Sequence, residues 1–256
     1  MTDLAPSSPK RTYDALLQDV EEGLRSGRFK TGDQLPGERI LAEKYGISRA
    51  SVREAMRILD VVGVIRSPSG AGPKSGAVIV SEPSAGLSAT LRLHIASSRL
   101  AVKDIVETRI LLETWAAEAA VQHDNPQGIQ RARELLMAMD ASDIDYETFH
   151  NLDAQFHLAL SALAGNAVID TVMDSLSGSV RGYIKDALVS LGQWPVVLAE
   201  LRAHHHAIFA AVEDKNGSLA ADLLRKHIGW LYDQTTSAHS LAPNPDGNIL
   251  ASPTQA

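Results

Sequence analysis

The chain of 256 residues contains no cysteine. Disulfide bonds and thiolate metal sites are therefore excluded, and any bound metal must be held by His, Asp, Glu or water. No stretch approaches the roughly 18 apolar residues of a membrane span, and the first ten residues lack the apolar core of a signal peptide. These features predict a cytoplasmic protein.

A strong positive charge is also lacking, because the formal net charge is −7. This argues against a protein that coats nucleic acid. The charge is uneven: residues 1–80 carry 12 Lys or Arg against 10 Asp or Glu, whereas residues 81–256 carry 12 against 21. We expect only the first part to touch DNA, and the length favours two domains.

Two short helix patterns around a turn occupy residues 35–65. The first places Ile40, Leu41 and Tyr45 on one face and ends at Gly46. The second opens at Ser48, a favourable N-cap residue. Its apolar residues recur at the three- and four-residue spacing of a buried helical face, namely Val52, Ala55, Met56 and Leu59.

Arg49, Arg53 and Arg57 lie on the opposite side of this second helix. Arginines at the start of such a helix can reach guanine edges and phosphates when the helix enters the major groove. The alternative interpretation is a helical hairpin with a solvated basic face. Flanking elements favour DNA binding: an amphipathic helix over residues 11–25 supplies a third helix, with inward residues Tyr13, Leu16, Leu17, Val20 and Leu24.

Downstream, Val64–Arg66 and Ala77–Val80 are predicted as two strands around the loop SPSGAGPKSG. The glycines, including Gly72, permit a close approach to a phosphate backbone, and Lys74 supplies a positive charge. Two strands joined by such a loop indicate the wing of a winged helix-turn-helix.

The segments LPGER and SRASVREAM and the glycine-rich wing resemble the winged helix-turn-helix of the GntR family of bacterial transcription regulators, over residues 11–80. The resemblance implies that Arg39, Arg49 and Arg53 contact operator DNA. It also places Ser48 and Ser51 where the family often has hydroxyl residues, whereas Ala50 replaces the commonest threonine.

We therefore predict a mainly α protein: a winged helix-turn-helix with three helices and a small β wing at 11–81, followed by an all-α helical-bundle effector domain at 90–239. Residues 82–89 are interpreted as a linker, and 1–10 and 240–256 as disordered ends. The helices are expected at 87–97, 101–123, 126–140, 145–164, 167–191, 196–214 and 217–238, separated by turn signals such as Trp194-Pro195.

Polar residues interrupt the apolar stripes of three of these helices. Asp153 and His157 lie on the stripe of helix 145–164, four residues apart, which brings both side chains to one side on successive turns. His205 and His227 interrupt the stripes of helices 196–214 and 217–238. One such histidine is ordinarily a core residue, but a buried carboxylate with three imidazoles favours a divalent metal, most simply zinc, with nickel, manganese or iron as alternatives.

The segments DAQFHLAL and HHAIFAAVEDKNGSLAADLLRKHI resemble the FCD ligand-binding domain of the FadR-type branch of GntR regulators, over about residues 87–235. The resemblance implies a metal held by Asp153, His157, His205 and His227. His204 and His206 flank the third ligand, and either could substitute for it.

Arg109 lies among apolar residues of helix 101–123 and needs an anion. One interpretation is an ion pair with Glu113, one turn on. The other, which the resemblance to the FCD domain also implies, is a grip on the carboxylate of a small effector beside the metal. Asn166 and Arg181 are further candidates for the pocket lining.

These features predict a metabolite-responsive regulator, a homodimeric repressor on a near-palindromic operator, and not an enzyme. One alternative is a metal-dependent hydrolase or oxygenase that uses Asp153, His157 and His205. Against it, the sequence shows no further inward carboxylate placed as a general base. A second alternative is a DNA-binding scaffold whose metal is only structural.

Overall fold

The structure is a computed structural model that describes residues 13–67, 76–97, 99–191 and 194–241; side chains are described except at 83, 180–191, 235 and 237–241. The chain divides after Thr90 into two compact units. Among the described residues, no helix combines the length and the apolar character that a membrane crossing requires.

The first unit contains three helices and a two-stranded antiparallel sheet. The elements are α1 (Asp14–Arg25), α2 (Glu38–Tyr45), α3 (Arg49–Val61), β1 (Ile65–Arg66) and β2 (Val78–Ile79). Ile65 lies opposite Ile79 in the sheet, and both side chains are buried in the core of the unit. The predicted winged helix-turn-helix arrangement of three helices and a small sheet is confirmed.

The turn between α2 and α3 follows from two local signals. Gly46 adopts a left-handed conformation with φ of 63° and ends α2, a conformation that costs glycine little. Ser48 begins α3 by accepting a hydrogen bond from the backbone N–H of Ser51, at 3.0 Å. This cap satisfies one of the free N–H groups at the start of the helix.

The core of this unit follows the predicted apolar stripes, with two exceptions. Val52, Ala55, Met56 and Leu59 of α3 are all buried. Leu24 and Ile40, both predicted to face inward, are 37% and 51% exposed. Leu24 lies in the last turn of α1, where Gly23 is the buried residue and lies against the Phe29 ring.

The predicted linker at 82–89 differs from the structure, because α4 (Pro83–Ala96) is helical through most of it. Proline is tolerated in the first turn of a helix, where its missing N–H has no intrahelical partner to lose. Gly86 allows a close approach to the end of α3, since a Cβ atom there would lie 2.4 Å from the carbonyl oxygen of Val61. The proline and glycine that indicated a linker are thus accommodated within a helix.

All the regular secondary structure among the described residues of the second unit is helical, which confirms the predicted all-α bundle. After α4, its helices are α5 (Val102–Ala120), α6 (Pro126–Met139), α7 (Tyr146–Ala162), α8 (Ala167–Leu191), α9 (Trp194–Glu213) and α10 (Gly217–Leu241). α5, α7, α8 and α10 pack against one another, and α9 packs against α6, α8 and α10.

Most helix boundaries of the bundle lie within three residues of the predicted ones. Asn125 caps α6 by accepting a hydrogen bond from Gly128 N–H, and Asp145 caps α7 in the same way. α9 begins at Trp194, two residues before the predicted start. The Trp194 ring packs edge-on against Tyr146 and Phe149, so tertiary packing extends the helix into its Trp-Pro start.

Candidate functional site

Two polar residues of α7 lie within its buried face. Phe149, Phe156 and Leu160 define that face and are at most 5% exposed. Asp153 and His157 lie between them and are 7% and 1% exposed. The four-residue spacing therefore places a carboxylate and an imidazole on adjacent turns inside the bundle.

α9 and α10 each contribute one buried imidazole, His205 and His227, which are 0% and 2% exposed. The neighbours of His205 have other contacts. His206 is exposed and its Nε2 lies 2.9 Å from an Asp140 carboxylate oxygen, whereas the ring of His204 packs edge-on against Trp230 and against the His227 ring of the cluster. Of the three consecutive histidines, His205 places a ligand atom within reach of those of Asp153, His157 and His227.

The four predicted ligand residues converge on one point. One ligand atom from each of Asp153, His157, His205 and His227 lies within 4.8 Å of all the others. The Nε2 atoms of His157 and His227 are 3.1 Å apart. Asp153 Oδ1 lies 2.9 Å from His205 Nε2 and 3.8 Å from His157 Nε2.

The contact between Asp153 and His205 is close but has poor hydrogen-bond geometry. Asp153 Oδ1 and both ring nitrogens of His205 are buried, and none has a hydrogen-bond partner among the described residues. Burying polar atoms without partners is costly. Of these three atoms, Asp153 Oδ1 and His205 Nε2 lie 2.9 Å apart within the cluster.

A buried carboxylate outside the predicted ligand set completes the cluster. Glu113 Oε2 lies 2.5 Å from His157 Nδ1. Glu113 Oε1 accepts a hydrogen bond from Arg109 Nε at 3.0 Å and lies 2.9 Å from Arg109 Nη2 in the same ion pair. The ion-pair interpretation of Arg109 is thus the one observed. Glu113 is a further inward carboxylate, only 2% exposed, and both of its oxygens contact Arg109 or His157.

The four-residue spacing after Arg109 indicated Glu113 as its possible ion-pair partner on one helical face. The contact of Glu113 with His157 could not be predicted in this way, because the two residues are 44 positions apart in the chain. An imidazole Nδ1–H that donates to a carboxylate leaves Nε2 as the lone-pair donor and fixes the ring orientation. The Nε2 of His157 is the atom directed at the cluster.

The electrostatics of the cluster combine burial with close charges. Burial alone would raise the pKa of Glu113, but the charges of His157 and Arg109 and their hydrogen bonds outweigh it and lower the pKa. The same balance lowers the pKa of Asp153, mainly through His205 and His157. Both carboxylates are therefore ionised, as a metal ligand and its supporting group must be.

The three imidazoles of the cluster differ in the direction of their pKa shifts. Burial lowers the pKa of His205 and lowers the pKa of His227 well below its usual value. For His157 burial acts in the same direction, but the neighbouring Glu113 raises the pKa overall. His205 and His227 are thus neutral at neutral pH, which is the form that binds metals.

The residues present fit a divalent cation. Three imidazole nitrogens and one carboxylate oxygen form a donor set typical of zinc and neighbouring transition metals. Ligands at bond lengths of about 2.0–2.2 Å from one ion lie roughly 3–4 Å from one another, and the three separations given above run from 2.9 to 3.8 Å. The unpartnered atoms of Asp153 and His205 are members of this set.

The remaining predicted effector residues have different outcomes. Asn166 Oδ1 accepts hydrogen bonds from the N–H groups of Val168 and Ile169, so its side chain caps α8 rather than joining the cluster. Arg181 lies in α8, but its side chain is outside the described part of the chain. Arg109 remains beside the cluster through Glu113.

The predicted DNA-contacting arginines lie on the exposed side of the first unit. Arg39 pairs with Glu43 at 2.9 Å and is 65% exposed, and Arg53 lies 3.6 Å from Glu38 and is 57% exposed. Arg49 is exposed in the first turn of α3, which carries no acidic residue. A positive side chain is unfavourable beside the positive end of a helix dipole unless an anion is near.

Ser48 and Ser51 serve the start of α3. Their hydroxyl oxygens are 3.0 Å apart, and Ser48 also accepts the backbone N–H of Ser51. Gly72 and Lys74 of the predicted wing loop lie outside the described residues. The described surface therefore combines the capped helix α3, in which Arg49 and Arg53 are exposed in the first two turns, with the exposed Arg39 at the start of α2.

Comparisons with known proteins agree with both units. The family described as bacterial regulatory proteins, gntR family, matches residues 12–73, and the FCD domain matches residues 104–229. The chain belongs to the GntR family. It is a DNA-binding transcriptional regulator with an FCD effector domain, and the enzyme interpretation is not favoured.

Individual relatives of this GntR regulator span most of its length. It is 27% identical over 206 residues to the HTH-type transcriptional regulator LutR of Bacillus subtilis, covering 80% of this chain and 92% of that protein. It is 24% identical to the Glc operon transcriptional activator of Escherichia coli, covering 84% and 85%. The structure of a Streptococcus agalactiae GntR protein matches with a TM-score of 0.59 and 26% identity, covering 87% and 98%.

Proposed function

We propose that this GntR regulator binds a divalent metal ion, with zinc the best fit, through Asp153, His157, His205 and His227. The convergence of four buried ligand atoms within 4.8 Å carries the proposal. When bound, the ion would supply a positive charge and open coordination positions for an acidic effector. Glu113 orients His157 for this role through the contact at Nδ1.

The effector we propose is a small carboxylate that binds beside Arg109. A guanidinium group has five donors and binds carboxylates with two parallel hydrogen bonds. The contacts with Glu113 use Nε and Nη2 of Arg109, so Nη1 takes part in neither. Because the side chain is only 8% exposed, a carboxylate that reaches it is shielded from water, which strengthens the interaction.

We propose that effector binding changes the affinity of the protein for its operator. We propose a homodimer in which two α3 helices enter successive major grooves of a near-palindromic site. The effector changes DNA binding only by the difference in its affinity for the DNA-bound and DNA-free arrangements. We propose repression relieved by the effector, although the Glc operon relative is named as an activator.

The experiment combines metal content with ligand-dependent DNA binding. The purified protein is assayed for bound metal and then screened by thermal shift against short carboxylic acids, with and without a chelator. Acids that stabilise only the metal-loaded protein are added to a binding assay with the promoter fragment. We expect one metal ion per chain and an acid-dependent change in operator affinity.

Matched adjacent variants sharpen the test. His205→Ala removes a ligand atom, whereas His206→Ala removes a neighbouring exposed imidazole that binds Asp140. The effector proposal fails if no acid stabilises the metal-loaded protein. A metal that binds without any acid response indicates the scaffold interpretation, in which the ion is only structural. Increased reporter expression with the effector supports repression, and decreased expression overturns that part.

A further inference from the structure

A cavity lies in the bundle, at the end where the α5–α6 turn, the end of α7 and the α9–α10 turn meet. Its volume is about 440 Å³, within the range of about 300–1,000 Å³ typical of small-molecule sites. Nothing in the metal cluster lines it. The cavity is therefore a separate candidate binding site.

Helix geometry places this cavity away from the metal cluster but on the same helices. Val212 lines the cavity and lies seven residues after His205 in α9. A rise of 1.5 Å per residue separates the two positions by roughly 10 Å along the helix. Ala117 lines the cavity one helical turn after Glu113 in α5. A ligand here would contact the helices that carry the metal cluster without touching the cluster.

The floor of the cavity is apolar. The small side chains of two alanines of α5 leave room for the cavity, and branched side chains from the surrounding elements enclose it. These residues are Ala117, Ala120, Val121, Ile129, Leu163 and Val212. Such a floor binds an aliphatic or aromatic group by removing it from water.

The rim carries both signs of charge. Arg133 forms an ion pair with Glu213 and donates a hydrogen bond to Gln130 at 2.7 Å, so these charges offset each other. Lys215 and Asp124 also line the rim. Neither forms an ion pair with any residue in the described ranges. The cavity thus offers one cation and one anion without partners, above an apolar floor.

The backbone at Lys215 supports a role for its side chain. Its φ is 54°, and it is the only residue other than glycine with a positive φ within the described chain. The N–H groups of Lys215 and Asn216 bond back to Val212 and Ala211 and so end α9. Glycine is the usual residue at this left-handed position. A lysine here places an ammonium group at the rim despite the unfavourable conformation.

We propose that this cavity binds a free apolar α-amino acid, with its carboxylate at Lys215, its ammonium group at Asp124 and its side chain on the apolar floor. A zwitterion matches the two unpartnered charges of the rim. Lys215 and Asp124 are both exposed at the rim, and a simple carboxylate or a simple amine forms an ion pair with only one of them.

Three ligands of the same apolar body test the charge pattern. Phenylalanine carries both charges, 3-phenylpropionate lacks the ammonium group, and 2-phenylethylamine lacks the carboxylate. Dissociation constants are measured by calorimetry on full-length protein treated with a chelator, so that the metal cluster cannot hold the carboxylate. Phenylalanine is expected to bind at least fivefold more tightly than either analogue, and glycine, which lacks the apolar body, not to bind.

Two variants assign the charges. Lys215→Gly should weaken phenylalanine binding at least fivefold and leave phenylethylamine unchanged, without lowering the unfolding temperature, because glycine suits this backbone conformation. Asp124→Asn should weaken phenylalanine and leave phenylpropionate unchanged. The controls Lys103→Gln and Asp143→Asn make the same charge changes at exposed positions away from the cavity.

Several results would overturn the proposal. Equal affinity for the three phenyl ligands would show that the cavity does not recognise both charges of a zwitterion. Unchanged phenylalanine affinity in both Lys215→Gly and Asp124→Asn would show that the ligand does not bind these two rim residues. Binding that requires the metal-loaded protein locates the ligand at the metal cluster. The first two outcomes do not depend on whether the metal and carboxylate proposals above are correct.

Discussion

Glu113 Oε2 lies 2.5 Å from Nδ1 of His157, with both side chains at most 2% exposed. The other oxygen of Glu113 is held by Arg109. This chain of contacts orients one imidazole of the predicted metal cluster and links it to the buried Arg109.

Glu113→Gln is expected to weaken metal binding by about 10- to 100-fold, the usual effect of losing a carboxylate that supports a histidine ligand. The amide cannot accept charge-assisted hydrogen bonds as the carboxylate does. Metal affinity is measured by competition with a chromogenic chelator. Glu118→Gln, an exposed change on the same helix, is the control. Equal affinities in the two variants would contradict the positioning role of Glu113.

Removal of a ligand atom should weaken metal binding more than the Glu113→Gln change does. His205→Ala is expected to lose stoichiometric metal binding and the rise in unfolding temperature that added metal produces, because ligands that bind only the folded state stabilise it. His206→Ala should retain both, since His206 is exposed and bound to Asp140. Metal content by elemental analysis and the thermal shift report the two effects. A metal-loaded His205→Ala protein would show that another residue takes its place.

DNA affinity should depend on the start of α3. The double variant Arg49→Ala and Arg53→Ala is expected to lose about 1–3 kcal/mol of binding free energy for each arginine that contacts a base. Where a phosphate contact is lost, the slope of log affinity against log salt should decrease by about one. Binding to the promoter fragment is titrated at several salt concentrations.

The control for this variant removes the same charge from the bundle, as Arg131→Ala and Arg225→Ala, both in exposed positions. Circular dichroism verifies that each protein is folded. The assignment of α3 as the recognition helix is refuted if the folded Arg49 and Arg53 variant binds as tightly as the parent.

Asp19 should stabilise the DNA-binding unit in a pH-dependent way. Its carboxylate contacts Arg28 at 2.8 Å, Lys44 at 2.9 Å and the Tyr45 hydroxyl, and these contacts lower its pKa. We expect Asp19→Asn to cost about 1 kcal/mol at pH 7, a small value because the side chain is partly exposed to solvent.

The direction of the pH effect follows from the lowered pKa. An acid with a lower pKa in the folded state stabilises it above the unfolded pKa of about 3.9. That contribution is lost as the pH falls through the folded-state value. Hydrogen exchange of α1 amides should therefore differ between wild type and Asp19→Asn at pH 7, and the difference should shrink progressively as the pH falls below about 4 towards the lowered folded-state pKa. A difference that grows on acidification would contradict this account.

Local sequence signals predicted much of both units. Ser48 and Gly46 marked the turn between α2 and α3 because capping and left-handed conformations depend on the residue itself. The apolar stripe of α7 predicted that Asp153 and His157 face inward, because burial follows helical phase. Prediction was weaker at chain segments such as 82–89, where proline and glycine have more than one structural use.

The sequence by itself determined which helical face each candidate ligand occupies, since a 3.6-residue period relates spacing to direction. It therefore predicted His205 and His227 as inward residues without any knowledge of neighbouring helices. Only the tertiary structure decided that their nitrogens meet Asp153 and His157, that Glu113 rather than an effector alone holds Arg109, and that a separate cavity opens near Lys215. These facts depend on contacts between residues far apart in the chain, and such distances are set by how whole helices pack.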